Sequence, residues 1–385
     1  MTALPERISR PVRSRRMRGR SLGVEEELLL VDADTLVPTP ASPRALAAAA
    51  KHRRPSVGRG RIEIEHELKR EQIEVVGPPV RDRATLAAGI LAGRRAADRA
   101  ARAAGARAVP LATAPQNCRT HLVEDPRYDR MRERFPRTIE EQLTCGFHVH
   151  VGIESDREGV AVLDRIRSWL PLLLAMSANS PFWQGDDSSF ASYRYQMWGR
   201  WPTAGPYDVF GTPEEYRAEV HALLDAGVCL DIGMIYFDAR LSAHAPTVEV
   251  RIADVCLRPE DAATVAILVR ALVERSIADA DAGLPAPRVQ TGMLRLASWR
   301  ASRFGVGEQL LHPLTLELLP AADALAALLD HVDPGFVDEA ERRATRAGVA
   351  EILRRGSGAV QQRRAAASGG LANVVADALA TGLDA

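Results

Sequence analysis

Lysine is nearly missing from this 385-residue chain: Lys51 and Lys69 are the only two among 50 basic residues. Neither lies in a glycine-rich phosphate-binding turn, which argues against a P-loop or a Schiff-base lysine. Cysteine is sparse as well. Cys118, Cys145, Cys229 and Cys256 stand far apart with no C-x-x-C pair. That pattern suggests neither a zinc knuckle nor a redox dithiol, and a reduced, cytoplasmic setting is expected. No stretch offers about twenty uninterrupted apolar residues, and the basic N-terminus leads into no apolar core. Neither a membrane span nor a signal peptide is therefore expected. An excess of one charge is lacking too, since 50 acidic residues balance the 50 basic ones. The balance removes the general electrostatic case for nucleic acid or an anionic membrane as partner. What remains is a chain of enzyme size, able to bury a full core and to act on small molecules, with a homo-oligomer left open.

Seven arginines crowd residues 1–20 (Arg7, Arg10, Arg13, Arg15, Arg16, Arg18 and Arg20) among few large apolar groups. This segment is expected to be a solvated, disordered tail. Beyond it, strand-like segments alternate with Ala/Leu/Arg-rich helical ones, near 82–104, 156–178, 214–226, 259–282 and in several stretches from 293 onward. No internal repeat or low-complexity linker divides this region, so residues 21–360 read as one catalytic domain. The remainder, 361–385, reads as a glycine-containing linker followed by a short amphipathic helix.

Side chains two apart share one face of a strand, and four segments give the same result. In TCGFHVHVGI, Phe147, Val149, Val151 and Ile153 separate from Gly146, His148, His150 and Gly152. In TVEVRIAD, Val248, Val250 and Ile252 separate from Glu249 and Arg251. In REQIEVVGPP, Ile73 and Val75 alternate with Gln72 and Glu74. In SLGVEEELLLVD, Glu25 and Glu27 fall together while Glu26 shares its face with Val24 and Leu28.

An antiparallel sheet with one wet face would give this alternation too. A solvated face, however, usually carries Lys, Thr, Ser or Gln, whereas these faces offer carboxylates and imidazoles, which are metal-ligand types. If the strands curve so that the faces converge, cations must offset the repulsion among the carboxylates. An oxygen-rich set with one imidazole suits magnesium or manganese better than zinc. Arg251 shares the face of Glu249 and is suited either to hold a phosphate oxygen beside the metal or to pair with Glu249. Glu26, on the apolar face, needs an arginine partner or a wet sheet edge.

Residues 184–206 are dense in aromatics, arginines and small hydroxyl residues and read as an ordered functional loop. Arg194 and Arg200 suit a carboxylate or phosphate. Tyr193, Tyr195, Trp198 and Trp201 either wall a nucleotide or amino-acid pocket or cap the core.

Taken in order, LGVEEELLLVD, QIEVVGPP, TCGFHVHVGI, SANSPFW, ASYRYQMWGRWPTAGP and TVEVRIADVC resemble the type 2 glutamate–cysteine ligase family, or carboxylate–amine ligases, over about residues 21–350. The resemblance implies an α+β, glutamine-synthetase-like fold, in which a curved antiparallel sheet forms a funnel with helices on its outer face. It implies magnesium ligands at Glu25, Glu27, Glu74, His148 and Glu249, with manganese as a substitute. It places Arg194 and Arg251 on the transferred phosphate or acyl phosphate, with Arg240 in the same anionic pocket. The reaction it implies is ATP-dependent ligation of L-glutamate to L-cysteine or another amine through an acyl phosphate. Ser188 and Ser189 replace a more usual Thr-Gly of that family. Apart from the resemblance, the His148-x-His150 pair would also serve a metal-dependent amide hydrolase. The aromatic loop would serve a non-catalytic nucleotide or amino-acid binding protein.

Overall fold

The computed structural model describes residues 19–51 and 60–383. Its organising element is the long strand β1 (Leu22–Asp32), whose run of Leu and Val favours extended backbone. Six further strands complete the main sheet: β2 (Glu63–His66), β3 (Gln72–Val76), β4 (Ala106–Val109), β5 (Gly146–Gly152), β6 (Ala239–Leu241) and β7 (Thr247–Asp254). The spatial order is β2-β3-β1-β5-β7-β6, with β4 paired to the far half of β1. All pairings are antiparallel, and the sheet stays open, with β2 and β6 at its edges. The expected mixed architecture is therefore the one observed.

The apolar face carries Val24, Ile73, Val75, Phe147, Val149, Val151, Val248, Val250 and Ile252, all buried. Helices Arg83–Arg102, Asp156–Ile166, Leu170–Ser177 and Pro259–Asp281 pack on that side. The last is buried without interruption from Asp261 to Val273, which makes it the central helix of the outer layer. Among the described residues no helix is long and apolar enough to cross a membrane.

Three sequence expectations need correction. The helix expected over 156–178 is two helices, 156–166 and 170–177, because Pro171 lies in the first turn of the second. Proline has no N–H to give and its ring clashes with the carbonyl four residues back, so the helix restarts there. Residues 361–368, expected as linker, are helical and packed: Gln362 donates to both Asn179 O and Asn179 Oδ1 at 2.7 Å. The break falls at Gly369 and Gly370, the latter at φ 72°, and the helix beyond it buries Val374, Val375, Ala378 and Leu379. Of the expected N-terminal tail, residues 1–18 lie outside the described residues. Arg20, however, is anchored: it donates to Gly152 O at 3.0 Å and pairs with Glu158 and Glu274.

Candidate active site

Strand register brings the polar residues together. Glu27 of β1 lies directly opposite Glu74 of β3, Glu25 opposite His148 of β5, and His150 opposite Glu249 of β7. Arg240 of β6 lies opposite Glu249 on its other side. All of these, with Arg251, line a single cavity of about 750 Å³ on the concave face. His148 Nδ1 is 3.2 Å from Glu25 Oε2, and His150 Nε2 is 3.2 Å from Glu25 Oε1. His148 Nε2 is 3.8 Å from Glu27 Oε1, whose other oxygen accepts from Gly146 N at 2.6 Å. Glu249 is gripped by Arg240 at 2.7 and 3.2 Å and also contacts Arg251.

Donor atoms gather into three overlapping groups: Glu25, Glu74 and His148; Glu25, His150 and Glu249; and Glu27, Glu67 and Glu74. In each group the atoms lie within 4.8 Å of one another. Glu67 and His150 were not in the ligand set inferred from sequence. Glu67 sits just past the end of β2, outside the alternating strand pattern. The signal that could have found it is the run Glu63, Glu65, Glu67 in EIEHE.

The charges divide the cavity into two unlike regions. Burial pushes Glu249 up, but Arg251 and Arg240 outweigh it and hold the carboxyl well below the usual range. Burial also opposes ionisation of Glu25, and the hydrogen bonds and charges of His148 and His150 overcome it. His148 is held down by burial and then by the nearby Arg251 charge. On the β3 side the charge of Arg251 offsets the repulsion only in part. Burial, followed by the charge of Glu27, pushes Glu67 up to about 8, and burial with Glu67 and Glu25 raises Glu74 well above the carboxylate range. Two carboxylates directly opposed across a strand pair, with a third beside them, repel one another. The protein alone leaves them short of positive charge.

Beyond the carboxylates the cavity turns aromatic, with Tyr128, Met131, Trp198, Trp201 and Tyr236 in its wall. Arg127 grips Asp231 at 2.7 and 2.9 Å beside them. Gln142 Oε1, an acceptor, and Trp201 Nε1, a donor, are buried with no hydrogen-bond partner among the described residues, as is Arg251 Nε nearer the carboxylates. Unmatched buried polar atoms are uncommon in folded proteins, and a bound ligand is one standard reason for them.

This geometry can be set beside known proteins. The sequence pattern of glutamate-cysteine ligase family 2 matches residues 21–377. The chain belongs to that family. A relative from Paenarthrobacter aurescens (strain TC1), named "Putative glutamate--cysteine ligase 2-1", is 53% identical over 346 residues, 90% of each chain. One from Streptomyces avermitilis carrying the same name is 47% identical over 344 residues, 89% of this chain and 94% of that one. Among solved structures, glutamate–cysteine ligase of Francisella tularensis in complex with AMP superposes with a TM-score of 0.66 at 10% identity, covering 94% of this chain and 88% of that one. A bifunctional glutathione synthetase from Pasteurella multocida gives 0.64 at 14% identity, covering 94% and 52%. At such identities these two structures speak to the fold. As a member of family 2, the chain is an ATP-dependent carboxylate–amine ligase that acts on small molecules and uses a divalent metal. The amide-hydrolase reading of His148 and His150 finds no support.

Within this ligase the three arginines inferred from sequence part company. Arg240 and Arg251 line the cavity, whereas Arg194 is 2% exposed and does not. Its guanidinium passes over Gly146, where a Cβ would collide with it, and lies 3.8 Å from Asp254. Glycine at 146 is thus a packing requirement of the buried arginine. The central loop also divides. Its Tyr193–Trp198 stretch is helical, and Trp198 and Trp201 reach the cavity. Tyr193 packs against Trp183 and Phe190 instead, the Tyr195 hydroxyl donates to Asp238 at 3.0 Å, and Arg200 pairs with Glu141. Ser189 keeps a left-handed backbone at φ 62°, with its N–H donated to Asp187 at 2.8 Å.

Proposed function

We propose that the cavity joins the side-chain carboxylate of L-glutamate to the amine of L-cysteine, and that magnesium, or manganese in its place, is held by Glu25, Glu27, Glu67, Glu74, His148 and Glu249. The observation that carries this reading is the close-set trio Glu27, Glu67 and Glu74, where Glu67 and Glu74 are pushed up despite Arg251, beside the arginine-balanced Glu249. The donor set, oxygen-rich with single imidazoles, fits a hard divalent cation. When bound, such a cation would neutralise charge on the phosphate oxygens.

The chain's own groups then have distinct tasks. The glutamate carboxylate attacks the γ-phosphorus of ATP, forming an acyl phosphate and releasing ADP; the amine displaces phosphate and forms the amide. Arg240 and Arg251 offer N–H donors toward the transferred phosphoryl group, at a point where charge is rearranged. Arg194, buried against Gly146 and facing Asp254, takes no direct part and supports the sheet beneath the cavity. Gln142 Oε1 accepts from a substrate ammonium or amine, and Trp201 Nε1 donates to a substrate oxygen or sulfur, which pairs both orphaned atoms. The wall of Tyr128, Trp198 and Tyr236 keeps water from the acyl phosphate.

The test is ADP release from ATP and magnesium with L-glutamate and a panel of amines, L-cysteine included. Turnover is expected with L-cysteine above the other amines, falling by about 100-fold or more in Glu27→Gln and Glu249→Gln; another amine clearly preferred would overturn the cysteine assignment. If no amine supports ATP consumption, or the variants match the wild type, the reading is wrong.

A further inference from the structure

Lys69 is not accounted for by the ligase chemistry. Leu68 lines the ligase cavity, but its neighbour Lys69 lines a second cavity of about 670 Å³. Gln142 and Leu143 divide in the same way, so a wall one residue thick separates the two spaces. Lys69 is 1% exposed. Its ammonium donates to Thr120 Oγ1 at 2.7 Å, and among the described residues no carboxylate oxygen comes within the 4.0 Å of an ion pair. Nearby Glu71 is already engaged, accepting from His121 N at 3.0 Å and lying 2.6 Å from His121 Nδ1. An ammonium has three N–H groups to satisfy; Glu71 and Glu140 bear on Lys69 only through space, and Thr120 takes the one direct bond.

Most other basic residues of the cavity are held in ion pairs. Arg70, Arg132 and Arg137 are matched by Glu124, Asp129 and the Glu140/Glu141 pair. Arg119 at the mouth is exposed and has no ion pair or hydrogen bond among the described residues. The unmatched groups are thus both cations, one at the floor and one at the rim, with Leu143 and Trp183 supplying apolar wall between.

We propose that this second cavity binds a small oxyanion, a carboxylate or a phosphate, whose oxygens accept from the Lys69 ammonium and meet the Arg119 guanidinium. Charge-assisted bonds of this kind are the stronger ones available to a protein, and an anion's oxygens can accept the N–H groups that Lys69 and Arg119 leave unfilled. A cation offers neither of them an acceptor.

The full-length protein is titrated with inorganic phosphate and, separately, with succinate, each against chloride at equal ionic strength. Thermal unfolding and calorimetry are the readouts. Saturable binding of one anion or both is expected, and which of them binds identifies the head group. Affinity should fall at least 10-fold in Lys69→Met and measurably in Arg119→Ala, while Arg240→Gln, in the ligase cavity, leaves it intact. Arg119 is a surface side chain, so its variant keeps the test decisive if Lys69→Met fails to fold. Absence of saturable binding, binding indifferent to Arg119→Ala, or binding abolished by Arg240→Gln would each overturn the proposal.

Discussion

Glu26 is 2% exposed, and both of its oxygens are held by Arg94, at 2.6 and 2.9 Å. Arg94, itself fully buried, also donates to Cys256 O at 2.6 Å and Leu257 O at 2.9 Å. Arg94→Met would strand a carboxylate in the core, so we expect a loss of about 3–5 kcal/mol in denaturant unfolding. Glu26→Leu added to it should restore part of that loss; a double variant no more stable than the single would refute the pairing account. Strand alternation placed Glu26 on the apolar face and demanded a partner. It could not say which arginine, because Arg94 comes from a helix whose docking no local pattern encodes. The same limit hid Gln142 and left open which of two roles Trp201 has; both are defined by hydrogen bonds they fail to make among the described residues.

Elements are joined at Asp254, the last residue of β7. Its carboxylate accepts from Asn179 N at 2.8 Å, Ser180 Oγ at 2.7 Å and Ser192 Oγ at 2.7 Å, and it faces Arg194. One side chain thereby ties the segment after the 170–177 helix, and the start of the Tyr193–Trp198 helix, to the sheet. Since a hydrogen bond to a charged group contributes roughly 1.5–3 kcal/mol, Asp254→Ala should cost at least about 3 kcal/mol. It should also deprotect Tyr193–Trp198 in hydrogen exchange ahead of global unfolding. Unchanged protection of that helix would show that the node is not its anchor. The helices near 83–102, 213–225 and 259–281 were legible from periodicity alone. The 184–206 segment was less so, since its six-residue helix is too short to show a repeat and is held by the Ser192 cap and by Asp254.

For the molecule as a whole, pH bears on stability through His331, whose ring stacks on Trp169 with centroids 4.1 Å apart. Burial, then the Arg275 charge, holds its pKa down to about 4 against the opposing Asp279. A depressed histidine stabilises the fold fully above its unfolded value near 6.5, and that contribution is lost as pH falls toward 4. His331 therefore adds up to about one proton to the uptake on unfolding between those limits, against the release from buried carboxyls such as Asp238, raised to about 7, and Glu67, raised to about 8. His331→Phe, which keeps the stack, should flatten that part of the melting-temperature profile; an unaltered acid limb would exclude His331 as its source. At this scale the sequence was most readable. Period-two alternation in four segments identified both faces of the sheet, and the ordered motifs identified the family. The second cavity escaped because residues 69, 118–120, 143 and 183 share no pattern until the chain is folded. The strand order has a consequence for biosynthesis. β1 (Leu22–Asp32) precedes its neighbour β5 (Gly146–Gly152) by far more than its other neighbour β3 (Gln72–Val76). At roughly 5–20 residues per second, the edge of β1 that takes β5 waits on the order of ten seconds for it. During that time this edge is open to wrong partners, and expression yield should depend on what shields a nascent β1.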